Sequence, residues 1–221
     1  MQIFTSPLVT QSYPGACCGF LAIEDVINPA QSPELEARKT ALQEELRARY
    51  PDDIAIKSDP VLQAYTAYYK RFKKTYHVAL QLESIALKGK SIPTVAALVE
   101  CMFMAELNDR LLTAGHDLKA LHGDVTVSVA QGSESYTLLR GVEQQLKPGD
   151  LFMQDETGVI SSIIYGPDSR TQITGDTTAA LFTVYAPPGV GQARVMEHLA
   201  HILEYVRMFR SNARVAFEFV T

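Results

Sequence analysis

The hydrophobic pattern of this chain switches period once, near Asp124, and few folds accommodate that switch within 221 residues. Upstream, apolar side chains recur every three to four residues, as on the buried face of a helix. Downstream they alternate, as on a strand with one face in a core. A helix is expected over 33–49: Ser32 can accept a free backbone N–H, and Pro33 suits the first helical position, where its missing N–H costs nothing. Leu35, Leu42 and Leu46 supply the inner stripe, with Glu34–Arg38 and Glu45–Arg49 as outer pairs. Asp59-Pro60 repeats the same start, and Val61, Tyr65, Tyr68 and Phe72 follow on one face. A short helix over 79–87 stops at Gly89. A longer one over 93–112 is apolar around most of its circumference, which suits a buried central helix.

An early strand over 17–27 precedes these helices. After Asp124, Val125, Val127 and Val129 alternate with Thr126 and Ser128. Turns at Gln131-Gly132-Ser133, Pro148-Gly149-Asp150 and Asp155-Glu156-Thr157-Gly158 separate strands over 135–139, 151–154 and 159–165. A strand over 180–186 is stopped by Pro187-Pro188-Gly189. Gly189-Val190-Gly191 lacks the third glycine and acidic partner of a nucleotide loop and reads as a tight turn. A helix over 192–209, with Val195, Leu199, Ile202, Val206 and Phe209 on one face, and a strand over 215–220 close the chain. The sum is α+β: an antiparallel, sandwich-like β core flanked by several helices.

At 47% hydrophobic, the chain can bury such a core as one domain. Its net charge of -5 argues against strong non-specific nucleic-acid binding, which depends on Lys and Arg neutralising phosphates. No apolar run reaches the roughly 18 residues that a bilayer demands, so no membrane partner is expected. Met1 to Pro7 lacks the charged and apolar parts of a secretory signal, which points to the cytoplasm. Cys17, Cys18 and Cys101 form neither a disulfide framework nor a zinc-ligand pattern, and read as buried thiols. His198 and His201 lie three apart with no third ligand in view; no metal and no other cofactor is expected.

The densest polar chemistry lies between the strands at 159–165 and 180–186: Asp168, Ser169, Arg170, Thr171, Thr174, Asp176 and Thr177. These groups suit a pocket for a small polar ligand. They equally suit a surface loop in which Asp168-Ser169 makes a turn and Arg170 a salt bridge. His116, behind Gly115 at the expected end of the long helix, reads as a C-capping group, with general base the alternative. Lys70, Arg71, Lys73, Lys74, Lys88 and Lys90 face Glu83 alone, interleaved with Tyr65, Tyr68, Tyr69, Phe72 and Tyr76. Such a stretch can grip an RNA backbone and stack bases, or it can be a buried aromatic stripe with a solvated face. Residues 111–193 hold four basic residues against nine acidic ones, a balance of -5.

Several fragments occur in an ordered series: Tyr69-Lys70-Arg71-Phe72, Leu87-Lys88-Gly89-Lys90-Ser91-Ile92-Pro93, His116-Asp117-Leu118, Gly123-Asp124-Val125, Gly132-Ser133-Glu134, Pro148-Gly149-Asp150-Leu151-Phe152, Asp155, Gly158-Val159, and Asp168 to Thr174 with Asp176-Thr177. In this order and spacing, the stretch 69–186 resembles the B3/B4 domain, the editing module of the phenylalanyl-tRNA synthetase beta subunit, and most of all its freestanding relatives. The resemblance implies one B3/B4-like domain over 1–221, with 1–68 as an N-terminal strand and helix extension. It implies a β-sandwich of unusual topology and hydrolysis of mischarged aminoacyl-tRNA in trans. Asp117, Asp168, Arg170, Thr174 and Thr177 then become candidate catalytic groups, and His116, Ser169, Thr171 and Asn108 candidate substrate contacts. The six basic residues from Lys70 to Lys90 would touch RNA, weakly and transiently. The family's editing site has a glutamate on the strand after the threonine-rich segment; that position falls here on Thr183 or Val184. The alternatives are a non-catalytic module for tRNA, an amino acid or a nucleoside, and a homodimer formed through the last amphipathic helix.

Overall fold

Side-chain caps decide where most of the helices begin. Ser6, Ser32, Asp52 and Asp59 each accept a hydrogen bond from a free backbone N–H of the turn that follows. The computed structural model describes residues 1–221 throughout. In chain order the elements are β1 (Ile3–Thr5), α1 (Pro7–Ser12), β2 (Cys17–Glu24), α2 (Pro33–Arg49), α3 (Asp53–Ser58), α4 (Pro60–Arg71) and α5 (His77–Leu82), which runs into a π-helical turn at Glu83–Leu87. Then come α6 (Ala97–Asp109), β3 (Leu112–Asp117), a 3₁₀ turn at Leu118–Ala120, β4 (Val125–Val129), β5 (Ser135–Thr137) and β6 (Glu143–Gln145). The chain closes with β7 (Leu151–Asp155), β8 (Gly158–Ser162), β9 (Gly166–Pro167), β10 (Ala179–Ala186), α7 (Gln192–Phe209) and β11 (Arg214–Val220).

Two sheets carry the core. One is ordered β1-β4-β7-β8-β9, the other β11-β2-β10-β3, and β5-β6 forms a separate hairpin. Pairing is antiparallel except between β1 and β4. β10 lies inside the second sheet with all eight residues buried, as suits a run that is apolar but for Thr183 and the Tyr185 hydroxyl. α7 packs closely on β2: a Cβ on Gly19 would stand 2.3 Å from Val195 Cγ1. The fold is α+β with an antiparallel core, as the periodicity predicts, and no helix is long and apolar enough to cross a membrane.

The helix expected over 93–112 ends early. α6 stops at Asp109, Arg110 turns the chain in a left-handed conformation (φ 63°), and Leu112 begins a strand. That strand is held by its ladder to β10, with Ala180 opposite Asp117 and Leu181 opposite His116. His116 is therefore no helix cap; it is a fully buried strand residue. Gly115 lies within the strand and not at a turn, with Ile173 packed close against it: a Cβ there would stand 2.8 Å from Ile173 Cδ1, which would have to shift. The outer pairs of α2 also rearrange. Arg38 reaches Glu45 at 2.9 Å, and Arg49 instead donates to the Asn108 carbonyl oxygen of α6 at 2.7 Å.

The aromatic stripe of α4 faces inward. Tyr65, Tyr68, Tyr69, Phe72 and Tyr76 are all buried, which removes the base-stacking role their sequence pattern allowed. The Tyr65 hydroxyl donates to the Tyr185 carbonyl of β10 and accepts the Leu112 N–H of β3 at 3.0 Å. Tyr68 donates to Asp150 at 2.7 Å and accepts the Leu151 N–H, while Tyr69 donates to the Ile163 carbonyl at 2.8 Å. One helix thus ties both sheets together through phenol hydroxyls. Tyr65→Phe keeps the ring but leaves a buried N–H and C=O unpaired; urea denaturation is expected to show a loss of about 1–3 kcal/mol.

Candidate functional site

The polar segment between β9 and β10 is pinned by its backbone before its side chains act. Asp168 N–H donates to Ile160 O of β8 at 2.7 Å, and Ser169 N–H to Thr137 O of β5 at 2.9 Å. The Asp168 side chain then closes a turn, accepting both the N–H (3.0 Å) and the hydroxyl of Thr171. With its proton committed to Asp168, the Thr171 oxygen can only accept from His116 Nδ1, 2.7 Å away. This fixes the His116 tautomer and leaves Nε2 buried without a partner. Burial, reinforced by the nearby Arg170 charge, pushes the His116 pKa down to about 3.

Arg170 is already spent. It donates twice to Asp155, at 3.0 and 2.9 Å, and to the Ala120 carbonyl at 2.9 Å, with its Nε 3.6 Å from Asp168 Oδ2. Asp155 also accepts the N–H groups of His122, Thr157 and Gly158. Burial opposes ionisation of Asp155, yet these donors outweigh it and hold its pKa below the ordinary value. Asp168 shifts the other way: burial raises its pKa in spite of the Thr171 donors. The sequence places Asp155 in a hairpin turn and among the fragments that carry the family resemblance; nothing local signals that it neutralises the candidate cation.

Asp117, Thr174 and Thr177 form a second, linked cluster. Asp117 accepts the Lys119 N–H at 2.9 Å and the Thr177 hydroxyl at 2.8 Å, and the Thr177 oxygen accepts the Thr174 N–H at 2.9 Å. The Asp117 N–H donates to Thr171 O at 2.7 Å, joining the clusters. Asn28, outside the predicted set, braces the loop by donating to Thr174 O at 2.8 Å. The two positions onto which the resemblance places the family glutamate, Thr183 and Val184, are both fully buried, and the Thr183 hydroxyl faces the Ala114 carbonyl at 3.4 Å.

These residues do meet, but they meet in a closed network. The adjoining hollow, about 240 Å³, takes Asp168, Ser169 and Arg170 together with Ser135, Thr137 and Thr157 in its wall, and not Asp117, Thr174 or Thr177. Asn108 lies elsewhere, at the end of α6, where Arg49 and Arg110 donate to its carbonyl.

The basic residues divide as well. Arg71 and Lys73 line a groove of about 530 Å³ with Lys147, and Lys74 lines one of about 310 Å³ with Arg140 and Tyr165. Burial, then repulsion from Lys147 and Arg140, lowers the Lys74 pKa, so these cations share one surface. Arg140 and Lys147 belong to the segment 111–193, whose overall balance is -5. Lys70 lines a different groove beside Lys57, Lys88 is paired with Glu83 at 2.6 Å, and neither it nor Lys90 lines the two basic grooves.

Residues 62–200 match the model of a protein family described as the B3/4 domain. The chain belongs to that family. A stretch of 69 residues is 33% identical to the phenylalanine–tRNA ligase beta subunit of Mycoplasma pneumoniae, covering 31% of this chain and 9% of the relative. The whole chain superimposes on an N-terminal fragment of the phenylalanyl-tRNA synthetase beta subunit from Pyrococcus horikoshii with a TM-score of 0.53 at 12% identity. It spans 54% of that fragment, and at such identity the likeness is one of fold. The resemblance read from the ordered sequence fragments is therefore upheld at the level of the family.

The His116 tautomer has a measurable consequence. Its folded pKa lies far below the usual value near 6.5, so the unfolded chain binds the extra proton first as pH falls. The stability this site contributes is complete above about pH 6.5 and declines toward the folded pKa by about 1 kcal/mol per pH unit. Against His116→Gln, the wild-type stability advantage should shrink steadily between pH 6 and pH 4. A constant gap in denaturation midpoints over that range would refute the buried neutral imidazole.

Proposed function

We propose that this B3/B4 domain is a tRNA-binding module, holding its RNA weakly through the surface around Arg71, Lys73, Lys74, Arg140 and Lys147, with little or no hydrolytic chemistry of its own. The observation that carries this reading is the gathering of five cations, from segments far apart in sequence, around two adjoining-charge grooves in a chain whose net charge is -5. Contact here is chiefly to the backbone: the aromatic residues of α4 are buried, and the half-buried Tyr165 ring in one groove already carries Lys74 over its face at 4.4 Å. About four or five phosphate contacts correspond to a log-affinity slope near -4 against log salt. Replacing Lys73, Lys74 and Arg140 together by Gln should reduce that slope by roughly 2 to 3 in filter binding with deacylated tRNA. An unchanged slope would place RNA elsewhere or nowhere. A cytoplasmic location belongs to this same proposal.

A hydrolytic reading has one observation in its favour. The hollow beside Ser169 offers hydroxyls of Ser135, Thr137 and Thr157 next to Arg170, which keeps 31% of its side chain exposed. Ester hydrolysis also needs a group free to activate water and one free to meet the oxyanion. Asp117, Asp168 and His116 are each held by internal hydrogen bonds, and Arg170 is neutralised. A panel of mischarged tRNAs should therefore keep its spontaneous half-lives in the presence of this protein. Accelerated deacylation that Arg170→Ala abolishes would establish the editing reading instead.

A further inference from the structure

We propose that a cleft between the ends of α2 and α6 and the first turns of α7 binds a small, strongly polar phosphate monoester. The cleft is about 340 Å³, at the small end of ligand pockets, and Leu111 is its one apolar wall residue. Arg49, Arg110, Arg194 and His201 bring positive charge to it from three separate helices or helix ends. Against these stand Asp109 and Glu197.

Asp109 is not available to a ligand cation. It accepts from Nδ1 of His198 at 2.8 Å and of His201 at 3.0 Å. Burial opposes its charge, but the two imidazole donors prevail and hold its pKa at about 2. The His198 ring is locked behind it, with Nε2 2.6 Å from the Thr113 hydroxyl. His201, donating through Nδ1 to Asp109, has its pKa raised and keeps Nε2 without a protein partner.

The guanidiniums are placed but incompletely used. Arg49 touches only the neutral oxygens of Asn108, at 2.7 and 3.3 Å, so no carboxylate offsets its charge. Arg110 shares the Asn108 carbonyl and stands 3.2 Å from Asp59. Capping the carbonyl end of α6 explains these two contacts and leaves other N–H groups of each fork unengaged. Arg194 makes no ion pair and sits in the first turn of α7, where the helix dipole disfavours a cation and which holds no acidic residue; Glu197, one turn on, is the nearest acidic member of the cleft on that helix. Donors converging from different directions suit the tetrahedral oxygens of a phosphate better than a planar carboxylate. The polar lining suits a hydroxyl-rich body on that phosphate.

Titration of the full chain by calorimetry and by ¹H–¹⁵N NMR, with inorganic phosphate, ribose 5-phosphate and ribose as probes, tests the assignment without any tRNA present. Both phosphates should bind, ribose 5-phosphate more tightly, with shifts at Arg49, Arg194 and His201 and none from ribose. Arg194→Glu, an exposed position with no partner to lose, should weaken binding about tenfold or more without lowering the melting temperature, and Arg49→Gln should weaken it as well. Absence of binding, binding that survives Arg194→Glu, or a response only to a 5′-phosphorylated oligonucleotide would overturn the proposal.

Discussion

Phenol hydroxyls on one helix hold the two sheets of this domain in register. Tyr65 reaches the β3-β10 sheet, while Tyr68 and Tyr69 reach the β7-β8 side. Each ring fills the core with apolar area, and each hydroxyl meets a backbone or carboxyl group that would otherwise be buried and unpaired. Phenylalanine could supply the first service but not the second. The same geometry denies these rings to any nucleic acid. A helix whose basic and aromatic residues alternate has in effect given its aromatics to the core and only its cations to solvent.

The linkage between sheets continues into the candidate site. β3 belongs to one sheet and the segment after β9 to the other, and the contacts of Thr171 with His116 and Asp117 join them. A joint of this kind rewards hydrogen bonding, because His116, Thr171 and Asp168 are shielded from water; among their side-chain atoms His116 Nε2 is left unpaired. Catalysis asks for the opposite, a donor or base left free for substrate. The network around Asp168 is built for the first purpose: the Arg170 charge, the Asp155 carboxylate and the Thr171 proton all have internal destinations. Neither Thr183 nor Val184, the two positions where the resemblance would put a glutamate, is acidic, which is consistent with that closure.

Charge is distributed unevenly over the surface. A net -5 conceals one set of cations gathered around Lys74 and another around Arg49 and Arg194. In the first, burial and then repulsion from neighbouring cations lower a lysine pKa; in the second, two histidines consume the nearest carboxylate. Both arrangements leave positive potential that an anion can answer, and neither is visible in the overall balance.

The sequence by itself determined the elements whose signals are local. α2 and α7 occupy the expected 33–49 and 192–209, because capping groups and apolar spacing act within a few residues. The alternating strands and the α+β class follow from the same short-range logic, and the ordered polar fragments sufficed to mark the family. β1, α1 and α3 escaped because each is too short for its period to register. β3 escaped because an apolar run after a helix looks like more helix until β10 offers it a ladder. Only the tertiary structure decided which polar residues were free. The partner of Arg170 comes from 15 residues upstream and that of His116 from 55 residues downstream, and the Asn108 cleft draws on helices separated by much of the chain. Hydrogen bonds and ion pairs at that separation leave no periodic trace in sequence; they exist only once the packed core has fixed the distances.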